Sequence, residues 1–337
     1  MATKKNKPFR ILSIDGGGIR GIIPGQILVT IEEKLQKKTK NPKARIADHF
    51  DLIAGTSTGG ILTIAYLCPH LDQPKRPKFN AQEVVNLYLE RGDEIFNIPF
   101  MHKLRSGAGV LDEKYPSAEL EDALNDYFGD TKLSQLLKPC LITSYDIKRR
   151  TGHFFTQHDA VKDTSYDFYV KEAARATSAA PTYFEASKIK SMTNITYPLI
   201  DGGVFVNNPT LCAYAEAHNK FNKTAKEMVI LSLGTGCVRN AYDFNEAKNW
   251  GAVQWIKPII DIMMSGVADV VDYQIKQMYS AVKAPQQYLR INTEMPIDVS
   301  PDMDNASQQN LLALKALGTE TAQKFSKDID GFLDFLI

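Results

Sequence analysis

Gly55-Thr56-Ser57-Thr58-Gly59 fits G-x-S-x-G, the pattern of a nucleophile elbow. Gly55 and Gly59 permit a strained strand-to-helix turn that pushes the Ser57 hydroxyl clear of a sheet edge, and the helix start behind it favours developing negative charge. A plainer reading, in which Thr56 or Ser57 only caps a helix, stands beside it. Asp15-Gly16-Gly17-Gly18-Ile19-Arg20-Gly21 holds three consecutive glycines whose bare N–H groups could cradle an oxyanion, with Arg20 adding positive charge. Gly16, Gly18 and Gly21 also satisfy G-x-G-x-x-G, the dinucleotide fingerprint. That alternative needs an acidic residue closing a second strand about 20 residues on. The chain has Lys37, Lys38, Thr39, Lys40 and Pro42 there instead.

A serine nucleophile needs a base. The six histidines are His49, His70, His102, His153, His158 and His218, so the late histidine of an ordinary hydrolase triad is missing and His218, near the end of an expected helix, is a poor substitute. His153 and His158 read as structural, without carboxylates at metal-ligand spacing. Asp201 is the better candidate: an apolar run ends on it, and Gly202 and Gly203 let other backbone approach. A carboxylate is a competent general base where it reaches the hydroxyl proton.

These residues need a scaffold. Phe9–Ile14 reads as a buried strand, followed by the glycine turn and a helix with Pro24 in its first turn; Phe50–Ala54, a turn at Gly55–Gly60 and a helix ending before Pro69 repeat the unit. Asn80 with Glu83 resembles a capping box opening a third helix, and Ser117 opens a fourth that closes near Gly129. Cys140–Ile147, His153–Gln157, Leu199–Val206 and Met228–Leu233 read as strands, Val170–Thr177 as a short helix, Asn208 as the cap of a helix from Pro209, and Trp250–Val282 and Asn305–Phe335 as mainly helical. Pro69–Asn80 and the Gly/Ser-rich Ser106–Gly109 read as loops. Alternating strands and helices imply a largely parallel sheet covered on both faces, with ligands at the carboxyl ends of the strands, where the glycine-rich turns collect.

Composition closes off other classes. Lys plus Arg number 40 against 39 Asp plus Glu, a net charge of +1, which gives no electrostatic hold on a nucleic acid. Four scattered cysteines exclude a disulfide scaffold, structural zinc and a redox motif. No signal peptide and no apolar run of 18 residues is present, so the expected location is cytoplasmic and any membrane contact transient and peripheral.

D-G-G-G-I-R-G at Asp15–Gly21, G-T-S-T-G at Gly55–Gly59 and D-G-G at Asp201–Gly203 together resemble the patatin-like phospholipases, in order and in spacing, over about Phe9–Ala217. Ala179–Phe184 and the stretch around Asn207-Asn208-Pro209 share the likeness. The resemblance implies a three-layer α/β/α sandwich and a Ser57–Asp201 dyad without histidine. It further implies an oxyanion site of Gly16, Gly17 and Gly18 near Arg20, and acyl-ester hydrolysis of lipids without metal or other cofactor. D-G-G stands where D-G-A is frequent, a small-for-small change.

On this reading residues 9–217 are the catalytic core and residues 218–337, which carry no motif, complete or cover the same domain. The substrate is a phospholipid or other acyl lipid. The helices Asn80–Phe96 and Trp250–Tyr279, the latter with Trp255, Ile259, Ile260, Ile262, Met263 and Met264, are either core or the surfaces through which lipid arrives. An acyltransferase on the same dyad, a nucleotide-binding module and a non-catalytic storage or interaction protein are the competing classes. A small-molecule activator is left open, since no motif establishes one.

Overall fold

The computed structural model describes residues 7–95, 115–238 and 242–337, without the Lys257 side chain. Its longer elements, in chain order, are β1 (Phe9–Ile14), α1 (Ile22–Thr39), β2 (Leu52–Thr56), α2 (Thr58–Leu67), α3 (Ala81–Ile95), α4 (Ala118–Phe128), β3 (Cys140–Asp146), β4 (Thr151–Thr156), α5 (Val170–Thr177), β5 (Ser187–Lys190), β6 (Thr196–Asp201), α6 (Thr210–Phe221), β7 (Met228–Leu233), α7 (Ala252–Ala281), β8 (Tyr288–Ile291), α8 (Gln308–Lys324) and α9 (Ser326–Leu333).

The strands form one sheet ordered β5-β6-β3-β2-β1-β7-β8, with β4 paired to β3. β3, β2, β1, β7 and β8 are mutually parallel, whereas β4 and β6 run opposite to them and β5 pairs antiparallel with β6. Period-2 alternation along β1 feeds both faces. Leu12 and Ile14 join the larger core under α1, α2, α3 and α8, and Ile11 joins the smaller one under α6 and the C-terminal half of α7. The result is a three-layer α/β/α sandwich. β7 and β8 take the sheet outward beyond β1, so the segment after residue 217 pairs directly with the strand that carries the first glycine motif.

Local chemistry explains most boundaries. Asn80 Oδ1 accepts the Glu83 N–H at 2.9 Å while Glu83 Oε2 accepts the Asn80 N–H at 2.8 Å, the reciprocal cap expected for α3. Asn208 Oδ1 accepts the Thr210 N–H at the start of α6. Two boundaries beside the site differ from the sequence reading, with smaller shifts at β2, β4 and α7. α2 starts at Thr58, so the turn after β2 is only Ser57 wide, and the strand expected through Val206 stops at Asp201, where Gly202–Val204 winds into a 3₁₀ turn. The loop at Pro69–Asn80 is present with a Pro69–Pro77 bridge. His102, Phe96 and Ser106–Gly109 lie outside the described residues. No described helix is long and apolar enough to cross a membrane.

Candidate active site

Three glycine-rich turns meet at the carboxyl ends of β1, β2 and β6. At the end of β2, Ser57 adopts φ 55° and ψ −123°, a conformation that L residues avoid and that the surroundings must enforce. Close packing of Gly55 and Gly59 is what enforces it. A Cβ on Gly55 would lie 2.0 Å from the Gly59 carbonyl oxygen, and one on Gly59 would lie 2.2 Å from that of Ile14, so only glycines let β2, α2 and β1 approach this closely. The Ser57 N–H donates to Thr177 Oγ1 at 2.9 Å, and Thr177 donates to the Thr143 carbonyl at 2.6 Å, which ties the elbow to α5 and β3.

Asp201 closes β6, with its N–H donated to the Ala179 carbonyl at 3.0 Å. One carboxylate oxygen accepts the Gly203 N–H at 2.7 Å, and the Ser57 side chain lies beside the carboxyl. Ser57 and Asp201 are 6% and 4% exposed. Burial pushes the Asp201 carboxyl up to about 7, with the neighbouring Ser57 hydroxyl and the Gly203 N–H pulling the other way. That value suits a group which must accept and return a proton near neutral pH.

The first glycine motif turns at the end of β1. Gly16 donates its N–H to the Asn207 carbonyl at 3.1 Å and is committed. No described acceptor takes the N–H of Gly17 or of Gly18, whose φ is +58°. Gly18 lines the same cavity as Ser57 and Asp201. Thr58 also lines it, and its N–H belongs to the first turn of α2, where no helical acceptor exists. Arg20 is buried and donates from Nε to the Gly17 carbonyl at 3.3 Å, so it braces the loop rather than lining the cavity. Burial lowers its pKa, against the nearby Asp261 carboxylate. Thr235 anchors the loop from β7's end, donating to the Gly16 carbonyl at 2.7 Å.

Beneath that loop Asp15 and Arg290 form a buried bidentate pair, with N···O distances of 2.9 and 2.5 Å, and Arg290 also donates to Ser232 Oγ. Although burial works against its charge, the Asp15 carboxylate holds Arg290 above the usual guanidinium range. Removing one partner strands the other charge in the interior. Asp15→Asn is therefore expected to lower unfolding free energy by about 3 to 5 kcal/mol, measured by urea denaturation. The double replacement Asp15→Leu with Arg290→Met should recover most of that loss.

The cavity in front of Ser57 is apolar. α3 gives it Leu87, Tyr88 and Ile95, and α4 gives it Leu120, Leu124 and Phe128. Ile260, Met263 and Met264 of α7 and Met303 close other sides. Tyr88 reaches the elbow through a 2.7 Å hydrogen bond with Thr58 Oγ1.

The histidines stand elsewhere. His218 is exposed and bonds the Lys223 carbonyl beyond the end of α6. His153 is half-buried among Phe155, Phe168 and Tyr197, and that desolvation lowers it to about 4. The structure brings Asp159 and Glu216 together with His158, a carboxylate pairing that sequence spacing hid. Lys220 already contacts both Asp159 oxygens, at 2.9 and 3.0 Å, so the group reads as an ion-pair network. Lys37–Thr39 end α1 instead of leading to a strand with a terminal acid, and Gly21 packs on Thr58, which leaves the glycine motif without the partner a dinucleotide requires.

Sequence reasoning missed Thr177, Thr235 and Arg290. Each acts on a residue at least 120 positions away, and no local pattern marks such a contact.

The chain has relatives among known proteins. The family model for patatin-like phospholipase matches residues 12–214. Patatin-like protein 1 of Arabidopsis thaliana is 36% identical, over 94% of this chain and 83% of its own length. Patatin group D-2 of Solanum tuberosum is 34% identical, over 94% of this chain and 85% of its own. Among solved structures, human GIVD cytosolic phospholipase A2 is similar at a TM-score of 0.46 with 11% identity, over 98% of this chain and 60% of that one, a likeness too distant to weigh.

Proposed function

Because the chain belongs to the patatin-like phospholipase family, we propose that it is a lipid acyl hydrolase working through a Ser57–Asp201 dyad. The single observation carrying this reading is a strained, buried serine set beside a carboxyl whose pKa burial raises to about 7, at the head of an apolar cavity. Ser57 Oγ attacks the ester carbonyl carbon as its proton passes to Asp201. The N–H groups of Gly17 and Gly18, with that of Thr58, receive the oxyanion, and Arg20 holds the glycine loop in place. Collapse expels the alcohol, which takes the proton from Asp201 and leaves an acyl ester on Ser57. Water then attacks that ester, its proton goes to Asp201, and the fatty acid leaves as Ser57 recovers its hydrogen.

An apolar cavity walled by leucine, isoleucine, phenylalanine and methionine suits an acyl chain, which points to a lipid substrate taken from an aggregated surface. The discriminating experiment incubates the protein with mixed phospholipid vesicles, quantifies released fatty acid, and seeks acyl-Ser57 by mass spectrometry after a rapid acid quench. Release with an adduct on Ser57 is expected. Release with an adduct on another residue, or with none at any quench time, would displace the dyad. Transfer of the acyl group to an added alcohol in preference to water would make the enzyme an acyltransferase.

A further inference from the structure

α7 is apolar on a side where a surface helix is ordinarily polar. At 100° per residue, Ala268, Val271, Ile275 and Tyr279 fall on one face, and these are buried against the sheet side. Asp261, Ser265, Asp269 and Asp272 fall on a second. The side opposite the buried face carries Ile256, Ile259, Ile262, Val270 and Tyr273, which are 43–65% exposed, and Gly266, around which nothing lies within 4 Å. An amphipathic helix of a soluble domain would place charges there.

Two further observations say what this stripe meets. It is continuous with the catalytic cavity, because Met263 is 41% exposed on the stripe and also lines the cavity beside Ile260 and Met264. An aromatic cluster also marks its N-terminal end. Trp250 and Trp255 stack edge to face at 5.0 Å, Tyr242 meets Trp250 at 5.6 Å, and Phe244 nearby is 76% exposed. Amphipathic rings of this kind collect at the headgroup level of membranes. From Ile256 to Tyr273 the stripe is roughly 27 Å long and about 10 Å wide. That is some ~300 Å² a side, well short of the ~800 Å² per partner of a stable protein interface, so a second copy is the poorer occupant. The acids along its border disfavour an anionic surface.

We propose that the outward stripe of α7 docks the enzyme on zwitterionic lipid and delivers an acyl chain past Met263 to Ser57. This rests on the acyl-lipid reading of the site. The test uses the full chain carrying Ile256→Glu with Ile259→Glu, and separately Val270→Glu with Tyr273→Glu, a second exposed pair farther along the same stripe; none of the four lines the cavity. Each is compared with wild type for co-sedimentation with phosphatidylcholine and with phosphatidylglycerol vesicles, for turnover of a water-soluble short-chain ester, for elution volume and for thermal melting. Wild type should bind phosphatidylcholine more tightly than phosphatidylglycerol. Both variants should lose at least tenfold in vesicle partition and in lipid hydrolysis while melting, elution and soluble-ester turnover stay unchanged. Unchanged partition in a folded variant would overturn the proposal, as would a wild-type dimer that the substitutions convert to monomer, or stronger binding to the anionic vesicles. Loss of soluble-ester turnover in wild type would count against the dyad alone, since partition reads the docking face without it.

Discussion

Ser57→Ala is expected to lower ester hydrolysis by at least about 10⁴-fold, since loss of the nucleophile leaves only binding and the oxyanion donors to act on the substrate. The thermodynamic consequence is less obvious and more diagnostic. Ser57 sits at φ 55° and ψ −123°, which costs an L residue about 1 to 3 kcal/mol. Alanine inherits that strain whereas glycine does not. Against glycine stands about 0.5 to 1 kcal/mol of extra backbone entropy lost on folding. Ser57→Gly should thus be as inactive as Ser57→Ala yet more stable than it by about 1 kcal/mol, read by urea denaturation of the two variants side by side. Equal stabilities, or a less stable glycine variant, would mean that the elbow is relaxed and that its geometry contributes nothing to nucleophile exposure.

The elements that position this elbow differ in how far the sequence reveals them. β1 and β7 are apolar runs interrupted only by Arg10, Ser13 and Ser232, and Val170–Thr177 ends before Pro181, so their limits follow from local chemistry. β5 and β8 have four residues each, too few for a period to emerge, and neither is marked in the sequence. Ser187–Lys190 pairs only with β6 and alternates buried Ser187 and Ile189 with exposed Lys188 and Lys190, the pattern of a protected sheet edge. Ser57, Asp201 and the glycine loop are legible because strained turns demand glycine at fixed offsets. Their supports are legible only in three dimensions. Thr177, Thr235 and Arg290 are ordinary residues in ordinary contexts, and what distinguishes them is which distant backbone atom or charge each one meets. The commitment of the Gly16 N–H to Asn207 belongs to the same class: three glycines in a row cannot say which two keep free donors.

Asp201→Asn should separate catalysis from stability in opposite directions. The amide keeps an oxygen for the Gly203 N–H and cannot take the Ser57 proton, so turnover is expected to fall by about 10³ to 10⁴-fold with the fold intact. In the wild type the folded chain holds the Asp201 proton up to about pH 7, whereas the group would release it near its ordinary value of 3.8 once unfolded. Between those values folding takes up a proton, so this group's contribution to stability falls as pH rises, and the loss is complete above 7. At about 1.4 kcal/mol per pH unit, the gap corresponds to roughly 4 kcal/mol of stability surrendered at alkaline pH. Asparagine carries no charge and escapes that loss. The variant should therefore match wild type near pH 3 to 4 and exceed it by a few kcal/mol at pH 8, in denaturant titrations across the range. The same ionisation sets the rate: kcat/KM of the wild type should rise through an apparent pKa near 7 and level off above it, since the base works only when deprotonated. A stability difference that stays flat with pH, beside a rate that does climb near 7, would assign the kinetic ionisation to another group and leave Asp201 an ordinary carboxylate that is ionised throughout the range.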